Sequence, residues 1–260
     1  MIDGHTHVWP DAIARRALAN PSAELQRYGD GTVNGLAATM EAAGVDRSVC
    51  LAVGDVPERV DKANRFVGEL DSGHFVPAGT VHPGLPVEEN MQSLRRAGVR
   101  AVKIHPLFQG FALDDPGLAD ILDAIQGEFP AIIHVGAGGE HHGGERCTPA
   151  MLRDVARRFP RLDLIACHFG GYRMLERAEE EVVGLPVYLD TSWPPGLGSL
   201  DRSRVRALME RHGLDRIVFA SDWPMADPGA EIATVEGLGF SAADTEAILG
   251  GTLARLLGLS

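Results

Sequence analysis

Short apolar segments alternate with helical patterns along the whole chain, and this alternation most constrains the fold. Eight segments have the length and hydrophobicity of buried parallel strands: residues 2–7, 48–53, 75–81, 101–105, 131–135, 162–168, 187–191 and 217–222. A stretch with helical periodicity follows each segment. The pattern predicts an α/β fold, namely a single (β/α)8 TIM-type barrel of parallel strands that spans residues 1–260 as one domain. An open, doubly wound parallel sheet is the alternative.

No Gly-x-Gly-x-x-Gly turn follows the first strand, which removes the best support for a dinucleotide-binding version of the open sheet. Helices are predicted near 36–43, 58–70, 87–97, 115–125, 174–183, 202–211 and 242–257, from 149, and after 227. Gly44 and Gly98 are well placed to end two of these helices. Pro149 suits a first helical position, whereas Pro77 weakens the prediction of the third strand.

The formal charge of −12 and the sequence pI of about 5.2 argue against binding to nucleic acid or to an anionic membrane. No apolar run approaches the roughly 18 residues of a membrane helix, and no signal-peptide pattern is present. Cys50, Cys147 and Cys167 lack the spacing of a structural zinc module. Cys50 and Cys167 lie inside apolar strand-like segments, so we expect buried free thiols. We therefore expect a cytoplasmic protein whose partner is a small-molecule substrate, with homo-oligomerisation left open.

Polar ionisable residues gather at the carboxyl ends of the predicted strands: His5, His7, Lys103, His105, His134, His168 and Asp222. In a barrel these ends converge on one face, where active sites lie. A single histidine that closes an apolar strand is more often a buried, hydrogen-bonded group than a ligand. Several on one rim favour a metal site, and His5 and His7 at i, i+2 point to the same face of their strand. Imidazoles with a carboxylate suit zinc, although manganese, cobalt or iron would also fit.

Four motifs carry a resemblance to a known family: His5-Thr6-His7, the strand-ending His134, Cys167-His168-Phe169-Gly170-Gly171, and Ala220-Ser221-Asp222-Trp223-Pro224. Together they resemble the amidohydrolase superfamily, and within it the amidohydrolase-related branch (amidohydrolase 2) that includes aminocarboxymuconate-semialdehyde decarboxylase. The resemblance implies a single-domain barrel with one divalent metal ion, usually Zn²⁺. It implies His5, His7, His134 and Asp222 as metal ligands. It also implies that Asp222 and His168 are catalytic, with His168 beside the metal-bound water.

Lys103 allows two interpretations. Superfamily members with two metals often use a carboxylated lysine on this strand as a bridging ligand. The local sequence of Lys103 instead looks like the Lys-x-His-Pro segment of mononuclear relatives. An unmodified Lys103 would bind a substrate carboxylate or form an ion pair. His105, Arg173 and Trp223 are further candidates for substrate binding. The alternative for His105 is a buried histidine at the rim of the barrel. For Arg173 it is a helix cap, and for Trp223 it is core packing.

The resemblance predicts a metal-dependent hydrolase that uses a zinc-activated water to cleave an amide, lactone or other ester bond. A substrate carboxylate would be compatible with the cationic candidates. The alternative is a lyase on the same site, a metal-dependent non-oxidative decarboxylase or hydratase. A non-catalytic barrel with a structural metal, or none, is a hypothesis of another class. The glycine-rich loop of residues 136–147, with His141 and His142, is either a lid or an exposed polar loop.

Overall fold

Eight parallel strands form one sheet in the computed structural model, which describes residues 1–19, 27–137 and 145–259. The strands lie in chain order, β1 to β8, and confirm the predicted TIM-barrel class of α/β fold. Their bounds are β1 Ile2–Thr6, β2 Arg47–Leu51, β3 Phe75–Thr80, β4 Ala101–Ile104, β5 Ala131–Ile133, β6 Leu164–Ala166, β7 Tyr188–Asp190 and β8 Ile217–Val218. His141 and His142 lie outside the described residues.

Twelve α-helices occur in the described part of the chain. Their bounds are α1 Asp11–Ala17, α2 Val33–Ala43, α3 Val60–Gly68, α4 Val87–Ala97, α5 Pro106–Gln109, α6 Pro116–Ile125, α7 Pro149–Arg158, α8 Leu175–Glu181, α9 Arg202–His212, α10 Pro228–Gly237, α11 Ala242–Glu246 and α12 Thr252–Leu257. Within these ranges, we find no helix with the length and hydrophobicity of a membrane span.

Three predicted helix ends agree with the backbone. Gly44 and Gly98 end α2 and α4 in the left-handed conformation, with φ of 70° and 64°. Thr148 caps α7, which begins at Pro149 as predicted, by accepting a hydrogen bond from the Met151 amide. Pro77 is tolerated inside β3, where its carbonyl accepts a hydrogen bond from the Arg100 amide at 2.8 Å. These boundaries therefore rest on local chemistry that is legible in the sequence.

Two short helices were not predicted. Helix α1 lies within a polar stretch, and α5 follows β4 directly. The His105 side chain caps α5, with its Nδ1 accepting from the Phe108 amide at 3.5 Å, and Pro106 occupies the first helical position. Seven-residue and four-residue helices are too short to show a clear hydrophobic period.

The chain groups into two compact units. The terminal unit comprises Met1–Cys50, Ser72–Phe75 and Asp190–Ser260, and the central unit comprises Leu51–Asp71 and Val76–Leu189. In the central unit, β4, β5 and β6 pair in register, with Val102 opposite Ala131 and Ala131 opposite Leu164. These three residues are almost fully buried, so the ladder forms the core of this unit.

In the terminal unit, the first strand forms hydrogen bonds with the segment that follows the last strand. The Gly4 amide donates to the Phe219 carbonyl at 2.9 Å, just beyond β8. A Cβ atom on Gly4 would lie 3.0 Å from that carbonyl oxygen and 3.0 Å from Leu253, so glycine allows the close approach. The two ends of the sequence thus share one hydrogen-bonded core.

A buried carboxyl group joins α10 to the segment after β7. Both carboxyl oxygens of Glu231 accept from the Leu197 amide, at 3.1 and 2.9 Å. Burial raises the pKa of Glu231 to about 7, and the charges of Asp3 and Asp227 add to the rise while the Leu197 hydrogen bond opposes it. The folded protein therefore binds a proton here that the unfolded chain releases at lower pH.

We predict that Glu231→Gln removes a fall in stability between about pH 4.5 and pH 7. In the wild type the folded pKa lies above the unfolded value, so this group stabilises the fold fully below the unfolded pKa. The contribution is lost as the pH rises to the folded pKa, by about 3 kcal/mol in total. Urea unfolding at pH 5 and pH 8 measures the effect. Glu236→Gln, at an exposed position of the same helix, is the control, and equal pH profiles for Glu231→Gln and wild type would contradict the assignment.

Candidate metal centre

His5 and His7 lie at the carboxyl end of β1 with their side chains on the same side, as the i, i+2 spacing predicts. Their Nε2 atoms are 3.2 Å apart. His5 is 1% exposed, whereas His7 is half-buried and its ring stacks on that of Trp9 with 6.0 Å between centroids. Two ring nitrogens at this separation can serve one metal ion.

Asp222 completes a group of three potential ligands. Its Oδ1 lies 3.4 Å from His5 Nε2 and 3.7 Å from His7 Nε2. Four ligands bound to zinc at about 2.0–2.1 Å define a tetrahedron whose edges are about 3.3–3.4 Å. The three observed separations lie close to that edge length. The His5–His7–Asp222 triad therefore fits a divalent metal ion, and it is one of the clusters of potential ligand atoms among the described residues.

Asp3, which no sequence motif singled out, connects β1 to the segment after β8 that carries Asp222. Its Oδ1 accepts from the amides of His5 at 3.1 Å and Ser221 at 3.0 Å, and its Oδ2 accepts from Ser221 Oγ at 2.6 Å. Burial raises its pKa to about 6, although these hydrogen bonds oppose the rise. The visible signal was an acidic residue inside an apolar strand, two positions before His5 and so on the same face.

Asp190 and Ser192 were also missed. Asp190 ends β7, and its Oδ2 lies 2.9 Å from His5 Nδ1. Its Oδ1 accepts from the amide and the hydroxyl group of Ser192 at 3.1 and 2.6 Å. An aspartate at a strand end is a visible signal, but nothing in the sequence pairs it with a particular histidine.

The central unit holds a second histidine cluster, formed by His105, His134 and His168. His168 Nε2 and His134 Nδ1 are 3.0 Å apart and share a hydrogen bond. The rings of His105 and His134 stack at 4.0 Å, with 9° between their planes. All three side chains are buried. The role of His134 as a fourth metal ligand stays a prediction.

The other predicted site residues occupy different environments. Lys103 is fully buried, and its Nζ donates to Cys167 Sγ at 3.2 Å, both in the central unit. Arg173 is exposed, with its guanidinium 5.3 Å from the centroid of the Tyr172 ring. Trp223 is fully buried in the terminal unit and lies against the Gly29 backbone. Their roles toward a substrate, like carboxylation of Lys103, stay predictions.

Backbone strain is concentrated at the predicted site residues. Among described non-glycine residues, a left-handed φ occurs at His168, Phe169, Arg173 and Asp222, with values of 58°, 52°, 58° and 64°. Such conformations are rare for residues with a Cβ atom and cluster at functional sites. Three of these four residues had been selected from the sequence for their chemistry alone, which supports a functional origin of the strain.

The chain belongs to the Amidohydrolase family, whose model matches residues 2–259. The family resemblance read from the sequence motifs is therefore confirmed. A search of curated protein sequences finds no match.

Solved structures with the same fold cover nearly the whole chain. One is 5-carboxyvanillate decarboxylase LigW from Sphingomonas paucimobilis, with a TM-score of 0.75, 16% identity, and coverage of 100% of this chain and 99% of that one. Another is dihydroxybenzoic acid decarboxylase from Polaromonas sp. JS666 with bound manganese and 2-nitroresorcinol. Its TM-score is 0.72 and its identity 16%, with coverage of 99% of this chain and 96% of that one. A third is a probable 2-pyrone-4,6-dicarboxylic acid hydrolase from Acinetobacter baumannii with bound citric acid. Its TM-score is 0.67 and its identity 16%, with coverage of 99% of this chain and 98% of that one. At these identities the likeness establishes the fold alone.

We predict that Asp3→Ala weakens metal binding and destabilises the fold by about 1–3 kcal/mol. The change leaves buried hydrogen-bond donors of His5 and Ser221 unsatisfied, which carries a cost of that order. Metal content after dialysis and urea unfolding of the metal-free protein measure the two effects separately. Asp201→Asn, at an exposed helix cap in the same unit, is the control. Wild-type metal content in Asp3→Ala would show that the triad does not need this carboxylate.

Proposed function

We propose that the protein is a divalent-metal-dependent lyase that removes carbon dioxide from a small, aromatic or unsaturated carboxylic acid without oxidation. The observation that carries the proposal is the His5–His7–Asp222 triad, whose ligand atoms lie 3.2–3.7 Å apart. Membership of the Amidohydrolase family supports an enzyme, and the matched decarboxylase structures favour decarboxylation. The sequence alone favours hydrolysis over a lyase, whereas the matched structures favour the lyase.

The triad would hold a divalent ion, for which zinc and manganese are the two candidates. Two imidazoles and a carboxylate suit zinc, which the sequence analysis preferred, and they also suit manganese. A matched decarboxylase structure contains manganese. When bound, the ion would withdraw charge from the substrate oxygen atoms and orient them.

The chain's own residues supply the proton and orient the substrate. In decarboxylation, the bond from the ring or alkene carbon to the carboxylate breaks, and a proton replaces the carbon dioxide that leaves. His168 is the proposed proton donor, since its Nε2 shares a hydrogen bond with His134 Nδ1 and the pair can hold one proton between two imidazoles. The exposed guanidinium of Arg173 is the proposed partner of a substrate carboxylate.

Hydrolysis of a lactone or ester is the second candidate. It is favoured by the match to a probable 2-pyrone-4,6-dicarboxylic acid hydrolase, whose structure contains citric acid. In that reaction Asp222 would accept a proton from the attacking water, and His168 would pass a proton to the leaving oxygen. Both candidates use the same residues, so the reaction must be decided by its products.

Matched structures include a 5-carboxyvanillate decarboxylase and a 2,6-dihydroxybenzoate decarboxylase. We expect wild-type protein loaded with Mn²⁺ or Zn²⁺ to release carbon dioxide from at least one of these two acids. In D₂O, decarboxylation would place one deuterium on the carbon that lost the carboxylate, which NMR and mass spectrometry detect. Ring opening of 2-pyrone-4,6-dicarboxylate without loss of carbon would instead support the hydrolase. Full turnover by protein stripped of metal would sink both candidates.

We predict that His168→Asn keeps the bound metal and lowers kcat by about 10²–10⁴-fold, the usual contribution of a general acid or base. Asp222→Asn should lose both metal and activity, because it weakens a ligand of the triad. His74→Asn, at an exposed histidine of the terminal unit, is the control for histidine loss. An unchanged kcat in His168→Asn would remove this residue from the mechanism.

A further inference from the structure

The two ring nitrogens of His5 face different partners. Its Nε2 lies 3.2 Å from His7 Nε2 and 3.4 Å from Asp222 Oδ1, within the triad. Its Nδ1 lies 2.9 Å from Asp190 Oδ2, and both side chains are about 1% exposed. A neutral imidazole carries one proton, so only one of its nitrogens can be a metal ligand. The partner of Nδ1 therefore decides whether Nε2 is available.

Asp190 is held in one orientation by its neighbour. Both Ser192 donors, the amide and the hydroxyl group, are directed at Asp190 Oδ1, at 3.1 and 2.6 Å. This leaves Oδ2 to face His5. An ionised carboxylate only accepts hydrogen bonds, so the proton between the two groups lies on His5 Nδ1. The Ser192 hydroxyl oxygen is itself 3.4 Å from that nitrogen, which keeps the three groups in one buried network.

We propose that Asp190 is a positioning residue that fixes His5 as the Nδ1–H tautomer, with Nε2 unprotonated and aimed at the metal position before any metal binds. Ser192 is the residue that orients Asp190. A carboxylate behind a ligating histidine both selects its tautomer and raises its basicity. The effect on metal affinity rests on the proposed function, whereas the tautomer of the metal-free protein does not.

The isosteric change Asp190→Asn gives a sharp expectation. Both Ser192 donors form hydrogen bonds at the Oδ1 position, so the side-chain oxygen of the asparagine will face Ser192. Its amide group will then face His5. An amide group donates, so His5 Nδ1 must become the acceptor and the proton must move to Nε2. The variant therefore keeps the shape of the site but inverts the tautomer and protonates the nitrogen that binds metal.

Long-range ¹H–¹⁵N NMR of metal-free protein, labelled at the histidine ring nitrogens and held at pH 8, reads the tautomer directly. His5→Gln assigns the His5 signals. We expect Nδ1–H in the wild type and Nε2–H in Asp190→Asn, with the wild-type pattern retained in the control Asp201→Asn. An Nε2–H tautomer in the wild type would overturn the proposal, and this measurement does not depend on whether Asp190→Asn folds.

Metal affinity gives a second readout. In a competition between the protein and a chelator for Zn²⁺, the apparent Kd should be 10- to 100-fold higher in Asp190→Asn and unchanged in Asp201→Asn. Ser192→Ala removes one donor to Asp190 and should give a smaller loss of affinity, which serves if Asp190→Asn does not fold. Wild-type affinity together with an Nδ1–H tautomer in Asp190→Asn would also overturn the proposal. If the wild type binds no metal, the proposed function fails while the tautomer still decides the role of Asp190.

Discussion

The pairing of the first strand with the residues after the last strand is the interaction on which the site depends. Three backbone hydrogen bonds join the two segments: Gly4 to Phe219, Asp222 to His5, and His7 to Trp223, at 2.9, 2.9 and 2.7 Å. The imidazoles come from one segment and the carboxylate from the other. Residues more than two hundred positions apart in the sequence thus reach ligand distance through main-chain contacts, and the lack of a Cβ atom at Gly4 allows one of these contacts.

This arrangement buries two acidic side chains, which is energetically unfavourable for a charged group. Asp3 and Asp190 are each about 1% exposed, and burying a carboxylate is unfavourable unless it is hydrogen-bonded. Asp3 accepts three hydrogen bonds from His5 and Ser221, and Asp190 accepts two from Ser192 in addition to its contact with His5. The donors that offset the burial are therefore the neighbours of the candidate ligands. Stability and orientation of the site have the same origin.

The sequence predicted most of the fold and three residues that the structure brings together in the candidate site. The strands and the glycine helix ends follow from local patterns. His5, His7 and Asp222 were singled out because polar residues at strand ends converge on one face of a barrel. Asp190 and Ser192 were not found, because their roles consist of a contact with a histidine more than 180 residues away. Alternation along a strand shows which face a residue takes but not its neighbour on a distant strand.

Strain and hydrogen bonding fix different parts of the site. The left-handed φ of 64° at Asp222 sets the direction in which the carboxylate leaves the chain, and the Asp3 network holds the adjacent Ser221 amide. His5 lies within strand β1, and the orientation of its ring depends on the partner of its second nitrogen, Asp190. The carboxylate is thus positioned by its main chain, and the imidazole is positioned by a second carboxylate. A metal ion that binds this triad would meet ligands whose directions are already determined by the folded chain.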